Sequence, residues 1–83
     1  METMDNLHLT VYPNPVHREA YIGGDYAQVK QVVILNLNGV VLMRLATEGA
    51  NSVDLSSLPE GAYLMGLETE QGIVYKKILK TSK

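Results

Sequence analysis

The sequence contains no cysteine, so neither disulfides nor thiolate metal sites can stabilise it, and cysteine usage leaves its redox compartment open. Phenylalanine and tryptophan are also absent, and the five tyrosines that remain make a thin stacking platform for sugars or single-stranded nucleic acid. The two histidines, His8 and His17, have no third His or Cys at ligand spacing, and solvated surface histidines are the simpler reading than a metal site. Long apolar runs are missing too. Val32–Leu35 and Val40–Met43 are the longest, far below the roughly 20 residues a membrane-spanning helix needs, so no membrane span is expected. Basic residues are scarce over most of the chain, where Arg18, Lys30 and Arg44 stand against nine carboxylates. That balance excludes a nucleic-acid surface spread over the body. The first six residues carry neither the basic nor the apolar part of a secretory signal, and the sequence reads as a segment cut from a longer polypeptide with Met1 added at the cut.

What is present is a strand-forming composition. Apolar residues, mostly Val, Leu and Ile, make up 46% of the 83 residues and charged ones 19%, values of a chain that folds. The length suits one domain, expected over residues 7–80, with a tail at 1–6 and another at 81–83. Net charge is −2, and Lys76, Lys77, Lys80 and Lys83 crowd the last eight residues.

Apolar positions alternate or run continuously and β-branched residues are dense, which predicts strands and not helices. Leu7–Tyr12 alternates and is stopped by Pro13-Asn14-Pro15, since proline cannot donate to a ladder. Further strands are predicted at Arg18–Ile22, Val29–Leu37, Val40–Leu45 and Val53–Leu55, with two more on either side of Glu70-Gln71-Gly72. Asn38-Gly39 between apolar runs predicts a type I′ hairpin turn with Gly39 at positive φ. Ser56–Gly61 is read as a tight reversal with room for one helical turn. Seven short strands divided by turns predict an all-β fold, a seven-stranded antiparallel immunoglobulin-like β-sandwich. Its inward set is expected to be Leu9, Val11, Val32, Ile34, Val53, Leu55, Leu58, Tyr63, Met65 and Leu67, with Val74 and Ile78 on a packed face of the last strand and its lysines on the other.

Little here can carry chemistry. Ser56 and Ser57 follow Asp54 but stand in no Gly-x-Ser-x-Gly elbow, and Ser and Asp side chains in such a reversal more simply accept backbone N–H groups. Gly23-Gly24 and Gly39 precede no helix ending in Lys-Ser/Thr, so they read as turn glycines and not as a phosphate loop. No catalytic, cofactor or metal site is expected, and the chain is not read as an enzyme. The terminal lysines blunt an edge strand or form a displayed recognition element, and charge patterning alone favours the former.

Four blocks recur in a familiar order: Val11-Tyr12-Pro13-Asn14-Pro15, Ile34 to Leu42 around Asn38-Gly39, Val53-Asp54-Leu55-Ser56-Ser57-Leu58-Pro59-Glu60-Gly61-Ala62-Tyr63, and Gly72 to Lys80. In this order and spacing the chain resembles the C-terminal sorting domain of the type IX secretion system of Bacteroidetes-type bacteria, type A. The resemblance implies a non-catalytic signal at the end of a larger exported cargo, recognised by outer-membrane translocon components. It further implies passage through the periplasm, delivery to the cell surface or medium, and in many members a cut by a sortase-like surface protease, here in or before residues 1–6. Candidate recognition residues on this reading are Pro13, Asn14, Pro15, Gly61, Tyr63, Lys76, Lys77 and Lys80. The prolines are expected to hold the chain extended, Gly61 to allow a turn ahead of core Tyr63, and the last strand to offer edge hydrogen bonds and charge. Reversing Lys76, Lys77 and Lys80 together is expected to leave the fold intact and block delivery. Two departures from the family pattern, Val40 after Gly39 and an outward Gly66, are expected to make that surface stickier or more mobile. A fibronectin-like carbohydrate- or protein-binding module using Tyr21, Tyr26 and His17 is the alternative.

Overall fold

Side chains on a strand alternate between faces with period two, and the apolar residues here use that period to close two sheets over one core. The computed structural model describes residues 8–47 and 49–81. The strands are β1 (Leu9–Tyr12), β2 (Glu19–Gly24), β3 (Gln31–Leu35), β4 (Val41–Ala46), β5 (Ser52–Asp54), β6 (Gly61–Thr69) and β7 (Gly72–Lys80), with a 3₁₀ turn at Tyr26–Gln28. One sheet has the order β1-β2-β5 and the other β4-β3-β6-β7, and all ladders between these strands are antiparallel. This is the predicted immunoglobulin-like sandwich, with three strands facing four. The 3₁₀ turn was not anticipated from the sequence.

Ile22, Ile34, Leu55, Met65, Leu67 and Ile78 are the largest fully buried side chains, each worth roughly 1.5–3 kcal/mol for its removal from water. Nine of the ten expected core residues are buried; Val11 is half-buried and packs against the cluster. The core also takes Val16, Ala20, Ile22 and Val29, of which Val16 and Val29 lie outside the named strands. Val16 lies in the segment that passes from β1 to the edge of β7, and Val29 in the one that joins the 3₁₀ turn to β3. Tyr63 is buried at the start of β6 and its hydroxyl donates to the Pro59 carbonyl at 2.7 Å, the tyrosine corner of this fold class. The reversal before it holds no helical turn; Asp54 Oδ1 accepts the Ser56 N–H at 2.9 Å, as its side-chain chemistry implied.

The β3–β4 connection differs from the two-residue turn expected at Asn38-Gly39. The Gly39 N–H donates to the Asn36 carbonyl at 3.0 Å and the Asn36 N–H to the Val40 carbonyl at 2.9 Å. Leu37, Asn38 and Gly39 therefore form a three-residue loop, and Asn36 Oδ1 accepts the N–H groups of both Asn38 and Val40. The longer loop arises because the Asn36 side chain supplies an acceptor that a two-residue turn would take from the backbone. Gly39 is at φ +86 as expected, with open space where a Cβ would stand. Gly39→Val is thus a purely conformational change, expected to lower stability by about 1–2 kcal/mol. A thermal midpoint unchanged from the parent would contradict it.

Candidate functional site

Pro13-Asn14-Pro15 was expected to run extended; instead it bends, with both X–Pro bonds cis. Having left β1 in the three-stranded sheet, the chain crosses to the edge of the four-stranded one. There Asn14 acts as a substitute strand: its Nδ2 donates to the Lys77 carbonyl at 3.3 Å and its Oδ1 accepts the Leu79 N–H at 3.0 Å. The Val16 N–H donates to the Leu79 carbonyl at 2.7 Å and the Thr81 N–H to the Val16 carbonyl at 2.9 Å, a parallel bridge between Val16 and Lys80. The Thr81 hydroxyl and His17 Nδ1, 2.8 Å apart, close the clasp. Two sequence blocks singled out separately, the proline block and the terminal strand, are thereby one structural unit.

This unit lies at the end of the sandwich where β7 finishes, whereas His8, the first described residue, lies at the other end beside Asp25. Gly61, φ +153, shares the clasp's end through its register with Lys80, and Tyr63 lies beneath in the core. Asn14 is exposed, so each of its bonds to β7 competes with water and carries about 0.5–1.5 kcal/mol. Asn14→Ala is expected to cost about 1–2 kcal/mol in a denaturation curve and to speed amide exchange at Leu79 while leaving that at Met65 unchanged. Equal acceleration at both positions would mean that Asn14 holds no local clasp.

The lysines do not form the one-sided strip expected of them. Lys76 and Lys80 share the inner face with Val74 and Ile78, and Lys77 stands on the outer face with Ile73, Tyr75 and Leu79, as their even and odd numbers dictate. Lys80 is only 7% exposed, its stem laid over the core margin and its ammonium 3.5 Å from the Thr81 carbonyl. Lys76 is half-buried and Lys77 exposed. Lys83 lies outside the described residues, as do residues 1–7.

Gly66 is outward, as read from the sequence, yet it is covered: a Cβ there would sit 3.0 Å from Tyr75 Cε1 and 3.3 Å from Ile73 Cγ2. The outer face of the four-stranded sheet is apolar around it, with Leu64 on the same strand and Val33, Leu35, Tyr75 and Leu79 on the neighbouring ones. Exposed Leu37, Val40, Val41 and Leu42 extend it to the β3–β4 hairpin.

Beside the clasp, Pro13, His17, Arg18, Glu19, Tyr21 and Asp54 line an open hollow of about 430 Å³. The rings of Tyr12 and Tyr21 stack at 5.7 Å, and the Tyr21 hydroxyl donates to Glu19 at 3.0 Å, which raises its pKa. The backbone N–H and hydroxyl of Ser56 hold the Asp54 carboxyl below its ordinary range. At the opposite end Lys30, bonded at 2.7 Å, does the same for Glu70. Each shift has a local hydrogen bond as its leading cause. Tyr26, on the 3₁₀ turn, does not line the hollow that Tyr21 and His17 share. Among the described residues no group of three His, Cys, Asp or Glu is arranged to hold a metal ion, and no helix is long and apolar enough to cross a membrane.

The family model described as "Secretion system C-terminal sorting domain" matches residues 10–81. No curated protein matches the chain.

Proposed function

The chain belongs to the family of secretion system C-terminal sorting domains, and from that membership we propose that it acts without catalysis, as a folded signal recognised by outer-membrane type IX translocon components. Membership makes it a sorting signal for type IX secretion that directs export toward the cell surface or the extracellular space. The finer reading rests on one observation, the clasp of Asn14 and Val16 on the end of β7. It holds the proline block and the terminal strand in one fixed shape, at the end farthest from His8. A cargo domain attached ahead of β1 would leave that end exposed. A signal read after folding needs such a preformed surface, because no ordering cost is then incurred on binding.

In this scheme the cargo passes through the periplasm, the clasped end docks on the translocon, and a sortase-like protease cuts ahead of β1. Pro13, Asn14 and Pro15 present the contact, Gly61 and Tyr63 support it from below, and Lys77 supplies exposed charge that speeds encounter. The test is a fusion: a folded reporter with an inner-membrane export signal, followed by this chain, expressed in a type IX-competent strain. Surface labelling of the reporter is expected, and a reporter retained in the periplasm would refute the assignment.

A carbohydrate- or protein-binding role of fibronectin-like kind draws support from the Tyr12–Tyr21 stack beside the hollow. Glycan-array binding lost in Tyr21→Ala, with export unchanged, would favour it.

A further inference from the structure

The clasp occupies only part of the β7 edge. In an antiparallel ladder successive residues point their backbone groups alternately toward and away from the partner strand. Leu79 and Lys77 point theirs away from β6, toward Val16 and Asn14, so Tyr75 and Ile73 do likewise. Among the described residues no strand runs along them. The remaining edges are less open: β1 and β5 have four and three residues, and β4 carries a register shift opposite Ile34/Leu35, a device that spoils an edge for pairing.

We propose that the free half of this edge, from Ile73 to the Lys77 N–H, whose carbonyl Asn14 already occupies, accepts an extended strand from a partner protein whose side chains alternate apolar and acidic. The apolar half of that pattern is set by the outer face. Ile73 is 38% and Tyr75 53% exposed, and an added strand places every second side chain against them, extending the apolar sheet face. The acidic half is set by charge. Lys76 projects on the inner side of the edge, where the alternate side chains of an added strand fall, while Lys77 flanks the apolar stretch on the outer side; on a molecule whose remaining charges are mostly carboxylates, an acidic strand is drawn to this edge and away from the rest of the surface. A second copy of the chain is a poor occupant, since edge-to-edge pairing brings Lys76 and Lys77 of both copies together with no carboxylate among them. The proposal rests on the reading of this domain as a recognised signal and adds the form of one partner contact, separate from the clasp.

The test uses the full isotope-labelled chain and a short synthetic peptide of alternating valine and glutamate, with a valine–lysine peptide as control. The glutamate peptide is expected to slow amide exchange at Ile73, Tyr75 and Lys77 by about tenfold or more and to leave Val41–Ala46 unchanged. Tyr75→Pro removes an edge N–H that β6 does not use, and is expected to abolish the protection; Tyr75→Val is expected to keep it. Protection on β4, equal protection by the lysine peptide, protection from raised protein concentration alone, or none would overturn the proposal. In cells, export of the parent fusion with equal export of the Tyr75→Pro fusion would refute the edge contact and spare the sorting role. Failure of the parent fusion itself would refute the sorting role.

Discussion

Replacing Gly24 by alanine is expected to lower stability by about 2–5 kcal/mol, the largest effect of any single methyl group added to this domain. Gly24 closes the β1–β2 ladder opposite Leu9 at φ +84, where an L residue costs about 1–2 kcal/mol. A Cβ there would also collide with the His8 carbonyl. That carbonyl cannot withdraw easily, since it accepts the Asp25 N–H at 2.8 Å while the His8 N–H donates to Asp25 Oδ2 at 2.9 Å. Overpacking against backbone adds about 1–3 kcal/mol. A domain of this length has roughly 4–12 kcal/mol in total, so the melting midpoint should fall by about 8–40 °C. Gly39→Ala, with open space at its Cβ, is the control and should lose far less. A fall of only a few degrees for Gly24→Ala would mean that the β1–β2 junction relaxes freely.

Removing residues 76–83 is expected to abolish the cooperative fold. The deletion takes away Ile78, a fully buried core side chain, whose truncation to alanine alone costs about 2–5 kcal/mol. It also strips the partners of Gly61–Met65 in β6 and the acceptors and donors of Asn14 and Val16. Circular dichroism should show no cooperative melt; a retained transition would overturn the expectation. Lost delivery of such a truncation would therefore report an unfolded domain and not a missing signal. The same reasoning revises the triple charge reversal. Lys80 is covered and Lys76 lies on the core side of the strand, so carboxylates at these positions would be forced against apolar neighbours. Lys77→Glu alone leaves the packing untouched and is the variant that isolates charge.

The parity of the last strand was already legible: Val74, Lys76, Ile78 and Lys80 are all even-numbered, and a period of two places them on one face. Reading lysines as an exposed side set chemical type above position, and position decided. Strand number and most of the core could be read from the sequence because alternation, turn residues and β-branching are local signals. Gly39 at positive φ follows from the same local chemistry, although the loop around it is set by the Asn36 side chain, which adjacent-residue rules do not anticipate.

Local pattern in the chain was enough to show that it forms strands, how many there are, and which ordered blocks mark its family, but not every break: Gly23 and Gly24, expected to end the second strand as turn glycines, pair with Thr10 and Leu9 inside β2. It took the folded molecule to show that Asn14 and Leu79, 65 residues apart, are hydrogen-bonded, that Val16 belongs to the core, and that, among the described residues, half of β7 is clasped while half stays open. Hydrophobic period and turn chemistry act over a few residues and leave their mark in the sequence. Pairing between distant edges depends on how two sheets twist and close over a shared core, and no short window of the chain contains that information.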